Sequence, residues 1–275
     1  MVSFKERCIS LRKRGLSINQ IAAKTNRPKT SVYFHIQSIP LSIQRKREIR
    51  LAAIRRFNDY SKSIKGKSRL NRHPTHFKVW DTDLVSLVSH IMFDGTIKQG
   101  GCVYTNRSQS LLDHVTRCMG RIYPYPPKKY ESLSGVHKIA FHNVELGYLL
   151  RTKELELTRN IERMSKELRR VFLRAFFNDE GSVYFIGKRR AIRGYQHDGR
   201  ILNLIQRLLR RLGIRSKVDM AYNEVTITRR RNLELFEKEI NFSAGVCVNG
   251  NRSNSVWKHS FEKRELLRKM LASYR

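Results

Sequence analysis

The sequence predicts an α+β protein in which one αββαββα unit is repeated in tandem, with a pseudo-twofold relation between the copies, behind a small all-α module. Three observations lead there. The same order of helix-like and strand-like segments runs through residues 80–160 and again through 161–245, the mark of an internal duplication. Each copy opens on a nine-residue helical segment closed by an acid and a glycine: LVSHIMFDG from Leu87 to Gly95, and LRAFFNDEG from Leu173 to Gly181. The first 37 residues hold three short runs of helical periodicity.

Charge narrows the function. The 275 residues include 56 Lys and Arg against 23 Asp and Glu, a formal charge of +33. On one compact surface that excess opposes folding unless a polyanion supplies counter-charge, and a nucleic acid is the expected partner. Anionic membrane is the rival. Against it, no run of 18 or more apolar residues occurs, and the start MVSFKERCIS lacks the apolar core of a signal peptide. An intracellular protein of the cytoplasm or nucleoid is expected. With 40% hydrophobic residues the chain can bury a core, unlike a basic disordered tail. Cys8, Cys102, Cys118 and Cys247 form no C-x-x-C pair, so neither a zinc ribbon nor a disulfide framework is expected.

Residues 1–39 read as a helix-turn-helix DNA-binding domain. Its helices are FKERCISLRKRG, SINQIAAKT and TSVYFHIQSI, broken at Gly15 and around Asn26 to Pro28. Ser17 caps the second helix, Ile18, Ile21 and Ala22 face a core, and Val32 and Ile36 repeat at i, i+4 on the third. The third helix is the reader. It places Lys29, Thr30, Ser31 and Phe34 on the groove-facing side, with Tyr33 packing or touching phosphate. The run GLSINQIAAKTNRPKTSVYFHI resembles the helix-turn-helix of resolvases and invertases. A helical hairpin packed on the main domain is the alternative.

Residues 40–79 read as a basic helix and linker, either a solvated connector or a segment that tracks phosphates between two binding modules. Repeat 1, residues 80–160, begins with helix DTDLVSLVSHIMF, strands TIKQGG and CVYTN, and helix QSLLDHVTRCMGRIY. Strands YESL and VHKIAFH and a helix from Val144 complete it. Repeat 2, residues 161–245, follows the same plan: RRVFLRAFFNDEG, SVYFIG, AIRGYQH, GRILNLIQRLLRRLGI, SKVDMA, EVTITR and NLELFEKEI. A C-terminal extension, 246–275, ends in the helix FEKRELLRKMLASY.

Asp94 and Glu180 lie 86 positions apart, one whole repeat. Pseudo-twofold packing of the two helices brings them together as hard oxygen ligands for Mg²⁺, which keeps several waters and completes its shell with phosphate oxygens. Such an ion activates an attacking water and stabilises the leaving oxygen.

The two nonamers, the order of elements around them and the string FLRAFFNDEGSV closely resemble the LAGLIDADG homing endonuclease family over roughly residues 80 to 245. The resemblance implies a saddle of two four-stranded sheets in the major groove, with the motif helices at the seam. It carries the family's metal-binding acids, which are catalytic, onto Asp94 and Glu180. A single-chain, monomeric, Mg²⁺-dependent site-specific double-strand endonuclease is the reading it implies. A DNA-binding regulator on the same scaffold, or an RNA splicing maturase, is the alternative. The family keeps small residues at the third and seventh motif positions, where helix backbones approach. Ser89 and Ala175 satisfy the third; Phe93 and Asp179 break the seventh, and Met92 and Asn178 stand where the family's first aspartate usually stands. A ring at the seam is expected to push the acids apart.

By position at strand ends, Lys138, His142, Arg229 and Arg231 are candidates to stabilise developing charge at the scissile phosphates; ordinary phosphate contact is the alternative. Base readout is expected from Lys98, Gln99, Tyr104, Asn106, Lys188, Arg190, Arg193 and Gln196, with Arg and Lys suited to guanine and Asn and Gln to adenine.

Overall fold

The computed structural model describes residues 2–64, 72–131, 135–248 and 259–274, in two units, Met1–Asn71 and Arg72–Arg275. Parts of three expected features lie outside the described residues: 65–71 of the basic linker, 132–133 of the YESL strand and 249–258 of the C-terminal extension.

In the first unit, α1 (Phe4–Lys13), α2 (Ile18–Thr25) and α3 (Lys29–Ile36) are each shorter than an isolated helix needs for stability, so their ends and contacts must hold them. Ser3 with Glu6, and Ser17 with Gln20, form reciprocal capping boxes at α1 and α2. Asn26 ends α2 in the left-handed conformation, and Pro28 opens α3. Cys8, Ile21, Val32 and Ile36 form the buried core, with Phe4, Leu11, Leu16, Ile18 and Ala22 against it. A 22-residue helix follows, α4 (Ile43–Ile64), whose Arg45 Nε donates to the carbonyl of Gly15 at 3.0 Å.

The second unit contains the duplication. Its first copy runs α5 (Thr82–Asp94), β1 (Gly95–Lys98), β2 (Gly101–Asn106), α6 (Gln109–Gly120), β3 (Lys128–Glu131), β4 (His137–Phe141), α7 (Val144–Asn160). After a single 3₁₀ turn, the second runs α8 (Lys166–Glu180), β5 (Gly181–Ile186), β6 (Arg189–Tyr195), α9 (Gly199–Arg211), β7 (Lys217–Asp219), β8 (Glu224–Ile227), α10 (Arg230–Glu239). Each copy forms an antiparallel four-stranded sheet, in the orders β1-β2-β4-β3 and β5-β6-β8-β7. A last helix, α11 (Lys263–Ala272), buries Leu266, Leu267 and Met270. The expected α+β architecture, with tandem αββαββα copies, is the observed one.

Helices cover one face of each sheet, so alternate strand residues are buried and the others open. Cys102, Tyr104, Ile139 and Phe141 are buried from β2 and β4, while Thr105 and Lys138 pair across the open face. In the second sheet Val183 and Ile192 are buried, and Ser182 pairs with Arg193 on the open side. One continuous core joins the copies through α5 and α8, whose mutual packing is as extensive as any in the fold. Among the described residues no helix is long and apolar enough to cross a membrane. All four cysteines are free, with only Cys247 exposed.

Candidate functional site

Asp81 and Ser165 cap the two motif helices by accepting from the backbone N–H of Leu84 and Leu168. Each helix passes into a strand without a loop, at Gly95 and at Gly181. A Cβ at Gly95 would lie 2.3 Å from the carbonyl oxygen of Ile91, and at Gly181 2.3 Å from that of Phe177. Only glycine lets the strand leave so close to the last helical turn. The residue before it is therefore fixed at the helix end, and both acids border one groove of about 1070 Å³. Asn106, Asp179, Arg193 and Lys263 line it too.

Burial, more than any neighbour, pushes the Asp94 carboxyl up to about 7; the charge of Asp179 adds to this, while an Asn106 hydrogen bond and Lys263 oppose it. Glu180 is likewise pushed up to about 7, first by burial, then by the charges of Asp94 and Asp179, against Lys263. Glu180 thus feels the charge of Asp94 across the seam, and Asp94 that of Asp179. Asn106 Nδ2 donates to Asp94 Oδ2 at 2.7 Å, whereas no side-chain hydrogen bond lowers Glu180.

Phe93 and Asp179, at the seventh motif position, both reach across to the fourth position of the opposite helix. The Phe93 ring packs edge-on against Phe176 at 5.1 Å and Phe172 at 5.5 Å. Asp179 Oδ2 lies 2.7 Å from His90 Nδ1, with both side chains almost fully buried. The seam is therefore aromatic on one side of the pseudo-twofold and polar on the other. The Phe93 ring takes a place beside Phe172 and Phe176, and both acids border the one groove. Gly194 on β6 makes the room: a Cβ there would meet Phe176 Cε1 at 2.4 Å. Tyr104 on β2, paired with Gly95 as Gly194 is with Gly181, instead donates its hydroxyl to Asp179 Oδ1 at 2.8 Å.

Ser89 and Ala175, the small third-position residues, are buried, and the Ser89 hydroxyl donates to the Val85 carbonyl at 2.6 Å. Asn178 clamps the chain beyond α10. Its Nδ2 donates to Ser243 Oγ at 2.8 Å, and its Oδ1 accepts from Ser243 N–H at 3.0 Å.

Several residues expected to read DNA lie elsewhere. Tyr104 is wholly buried, so its side chain cannot meet a base edge; the helix-facing side of β2 claims it. Asn106 is half-buried and committed to Asp94 and to the N–H of Ser108. The Arg190 guanidinium holds the C-terminal end, donating to Ser273 Oγ at 2.7 Å and to the Ser273 carbonyl at 3.0 Å, over the Tyr274 ring. Arg193 lines the groove and pairs with Glu224. Lys98, Gln99 and Lys188 are exposed at hairpin ends, and Gln196 is half-buried. Lys138, His142, Arg229 and Arg231 are exposed and do not line the groove. In the first unit Lys29, Thr30, Ser31 and Phe34 are all exposed on α3.

Lys263 is the site residue that sequence reasoning missed. Its ammonium is buried beside the acids and donates to the carbonyl oxygens of Asn178 at 2.6 Å and Phe177 at 3.3 Å. Burial pulls it down to about 8, while Asp179, Asp94 and Glu180 hold it up. A signal existed: Lys263 shares the i, i+3, i+4, i+7 stripe of α11 with Leu266, Leu267 and Met270, so a basic residue stood on the apolar face.

Among the described residues no three His, Cys, Asp or Glu side chains form a cluster that could hold a metal ion unaided. The donor set still suits a hard divalent cation that takes one or two carboxylates from protein and the rest from water and phosphate. Two acids that share a groove and repel one another are such a pair.

Fold and site together define a duplicated αββαββα protein with one carboxylate from each copy at the end of its seam helix. Residues 167–241, the body of the second copy, match the family model described as a LAGLIDADG-like domain. Solved structures similar to the chain include the following three. The homing endonuclease I-DmoI in complex with DNA and Mn is 17% identical, with a TM-score of 0.44, over 58% of this chain and 97% of that one. The N-terminal LAGLIDADG domain of DUF199/WhiA is 13% identical, with a TM-score of 0.45, over 62% and 88%. The homing endonuclease I-WcaI bound to its DNA recognition sequence is 15% identical, with a TM-score of 0.44, over 60% and 83%. No curated protein matches the sequence significantly.

Proposed function

We propose that the protein is a site-specific endonuclease for double-stranded DNA, acting as a monomer because one chain carries both halves of the site. The observation that carries this reading is the meeting of Asp94 and Glu180, one from each copy, on a single groove between open sheet faces in a chain of charge +33. They would hold a divalent cation, Mg²⁺ by the hardness of the donors. When bound, it would supply the positive charge that favours loss of a proton from an attacking water and steadies the leaving oxygen. The chain's own residues prepare that site. Asn106 fixes the orientation of Asp94, the Asp179, His90 and Tyr104 cluster locks the seam beneath the acids, and the glycines hold the helix ends at the strands.

The open faces supply the basic surface. Lys98, Lys138 and Arg193 stand on them, where phosphates and base edges of a major groove would lie. In the first unit, the exposed Lys29, Thr30, Ser31 and Phe34 on α3 suit a reading helix and would add a second contact to DNA. A DNA-binding regulator that does not cut is the second reading. The buried Lys263 favours it, because this ammonium offsets the acids without any ion.

Cleavage of a randomised duplex library with Mg²⁺ separates the two. Discrete cutting by the wild type, lost by at least about 10²-fold in Asp94→Asn and in Glu180→Gln while binding persists, is expected. Sequence-specific binding by the wild type without cutting would give the case to the regulator.

A further inference from the structure

Both acids stand at the wrong end of a helix. The last turn of an α-helix presents unpaired carbonyls and the negative end of the helix dipole, so a carboxylate there is repelled. At α8 the crowding is greatest, with Asp179 and Glu180 consecutive and Asp94 facing them across the seam. The structure meets this with a group from outside the duplication. α11 begins at Lys263, whose backbone is held on the far side by its N–H donating to the Val246 carbonyl at 2.8 Å and by the bridge between Cys247 and Glu262. Leu266, Leu267 and Met270 anchor the helix in the core. The Lys263 side chain then runs to the end of α8 and donates to the Asn178 and Phe177 carbonyls. At the end of α5 the corresponding acid, Asp94, is held by the neutral amide of Asn106.

We propose that Lys263 is the built-in counter-ion of the acidic pair and a positioning residue for Glu180, so that the segment after the second copy is part of the site. Two features carry this beyond ordinary packing. A lysine ammonium with 7% of the residue exposed is retained only where specific partners replace water. The carbonyls it binds belong to the two residues before Asp179 and Glu180, so one group ties down the helix end and offsets the charge that this end carries. It also sets how strongly the groove draws a second cation: a fixed ammonium lowers the affinity of the carboxylates for a divalent ion and keeps them together while none is bound.

The test compares Lys263→Met, of similar length and no charge, in two backgrounds of the full chain. In EDTA, the loss of Tm caused by Lys263→Met should be at least halved when Asp94→Asn and Glu180→Gln are also present, because there is less charge to offset. Equal losses in both backgrounds would mean that Lys263 is only a packing pin, and would overturn the proposal. Should Lys263→Met alone fail to fold, the triple variant should fold; its failure also overturns the proposal. In a second arm, Mn²⁺ binding is titrated without DNA. The affinity should rise about tenfold or more in Lys263→Met, since one like charge has left the site; unchanged or weaker binding, as from a loosened helix end, contradicts the counter-ion role. This arm rests on the cation site proposed above, and the melting arm does not. A wild type that binds no Mn²⁺ yet shows the coupled melts would remove the metal reading and leave Lys263 as the counter-ion.

Discussion

Asp94 and Glu180 should write their environment into the pH dependence of the fold. Each is held near 7 in the folded chain, against ordinary values of 3.8 and 4.5. Between about pH 4 and 7 these two groups therefore keep protons in the folded state that the unfolded chain has released, and their contribution to stability falls as pH rises through that window. In metal-free buffer the wild type should lose Tm relative to Asp94→Asn/Glu180→Gln as pH goes from about 4.5 to 7.5. A difference of several degrees is expected, at about 2–4 °C per kcal/mol for a unit of this size. Parallel pH profiles for the two proteins would show that the acids are solvated in the fold. These two acids were legible in the sequence because position in a duplicated motif identified them. Tyr104 and Asn106 were singled out for base readout by side-chain chemistry alone. Parity in β2 decides otherwise, since a shift of one residue moves a side chain to the other face of a sheet, and Gly95 pairs with Tyr104 on the helix side.

The helices and strands were almost all visible as periodicity, down to the capping serine of α2, because each element is locally amphipathic and carries its own stop signals. What α5 and α8 do to one another was not visible. The seventh motif position, taken alone, reads as a clash at Phe93 and as a buried charge at Asp179. Each becomes favourable only through the fourth position of the other helix, Phe176 in one case and His90 in the other. This is a pairing 83 to 89 residues apart that no local pattern encodes. It has a measurable consequence. Asp179→Ala removes the acceptor for His90, Tyr104 and Asn106 together and should cost about 3–5 kcal/mol, the usual result of breaking a buried polar pair from one side. Urea denaturation followed by tryptophan fluorescence measures it. A loss below about 1 kcal/mol would mean that water replaces the carboxylate in the seam, and that the polar half of the interface does not hold the two copies together.

Charge is distributed unevenly over the whole molecule. Residues 1–71 hold 18 Lys and Arg against three acids, Glu6, Glu48 and Asp59, so about a quarter of the chain carries nearly half of its net charge. The second unit has its own continuous core and contains the entire acidic groove. On the endonuclease reading proposed above, cutting and gripping belong to different parts: residues 72–275 should fold alone and keep Mg²⁺-dependent cutting, while losing affinity. Each phosphate neutralised adds about 0.9 to the slope of log K against log salt, so the salt dependence of binding reports how many contacts each unit makes. The full chain should show a steep slope, and the 72–275 fragment a shallower one by at least two to three phosphates. Its weaker binding should be most evident at low salt, where counterion release is worth most. If the fragment and the full chain had the same slope, the first unit would make no phosphate contact beyond those of residues 72–275, and its basic residues would have to serve a different polyanion. If the fragment bound normally but no longer cut, the acids would depend on residues 1–71 for their arrangement, and the separation of the two roles would fail at the site itself.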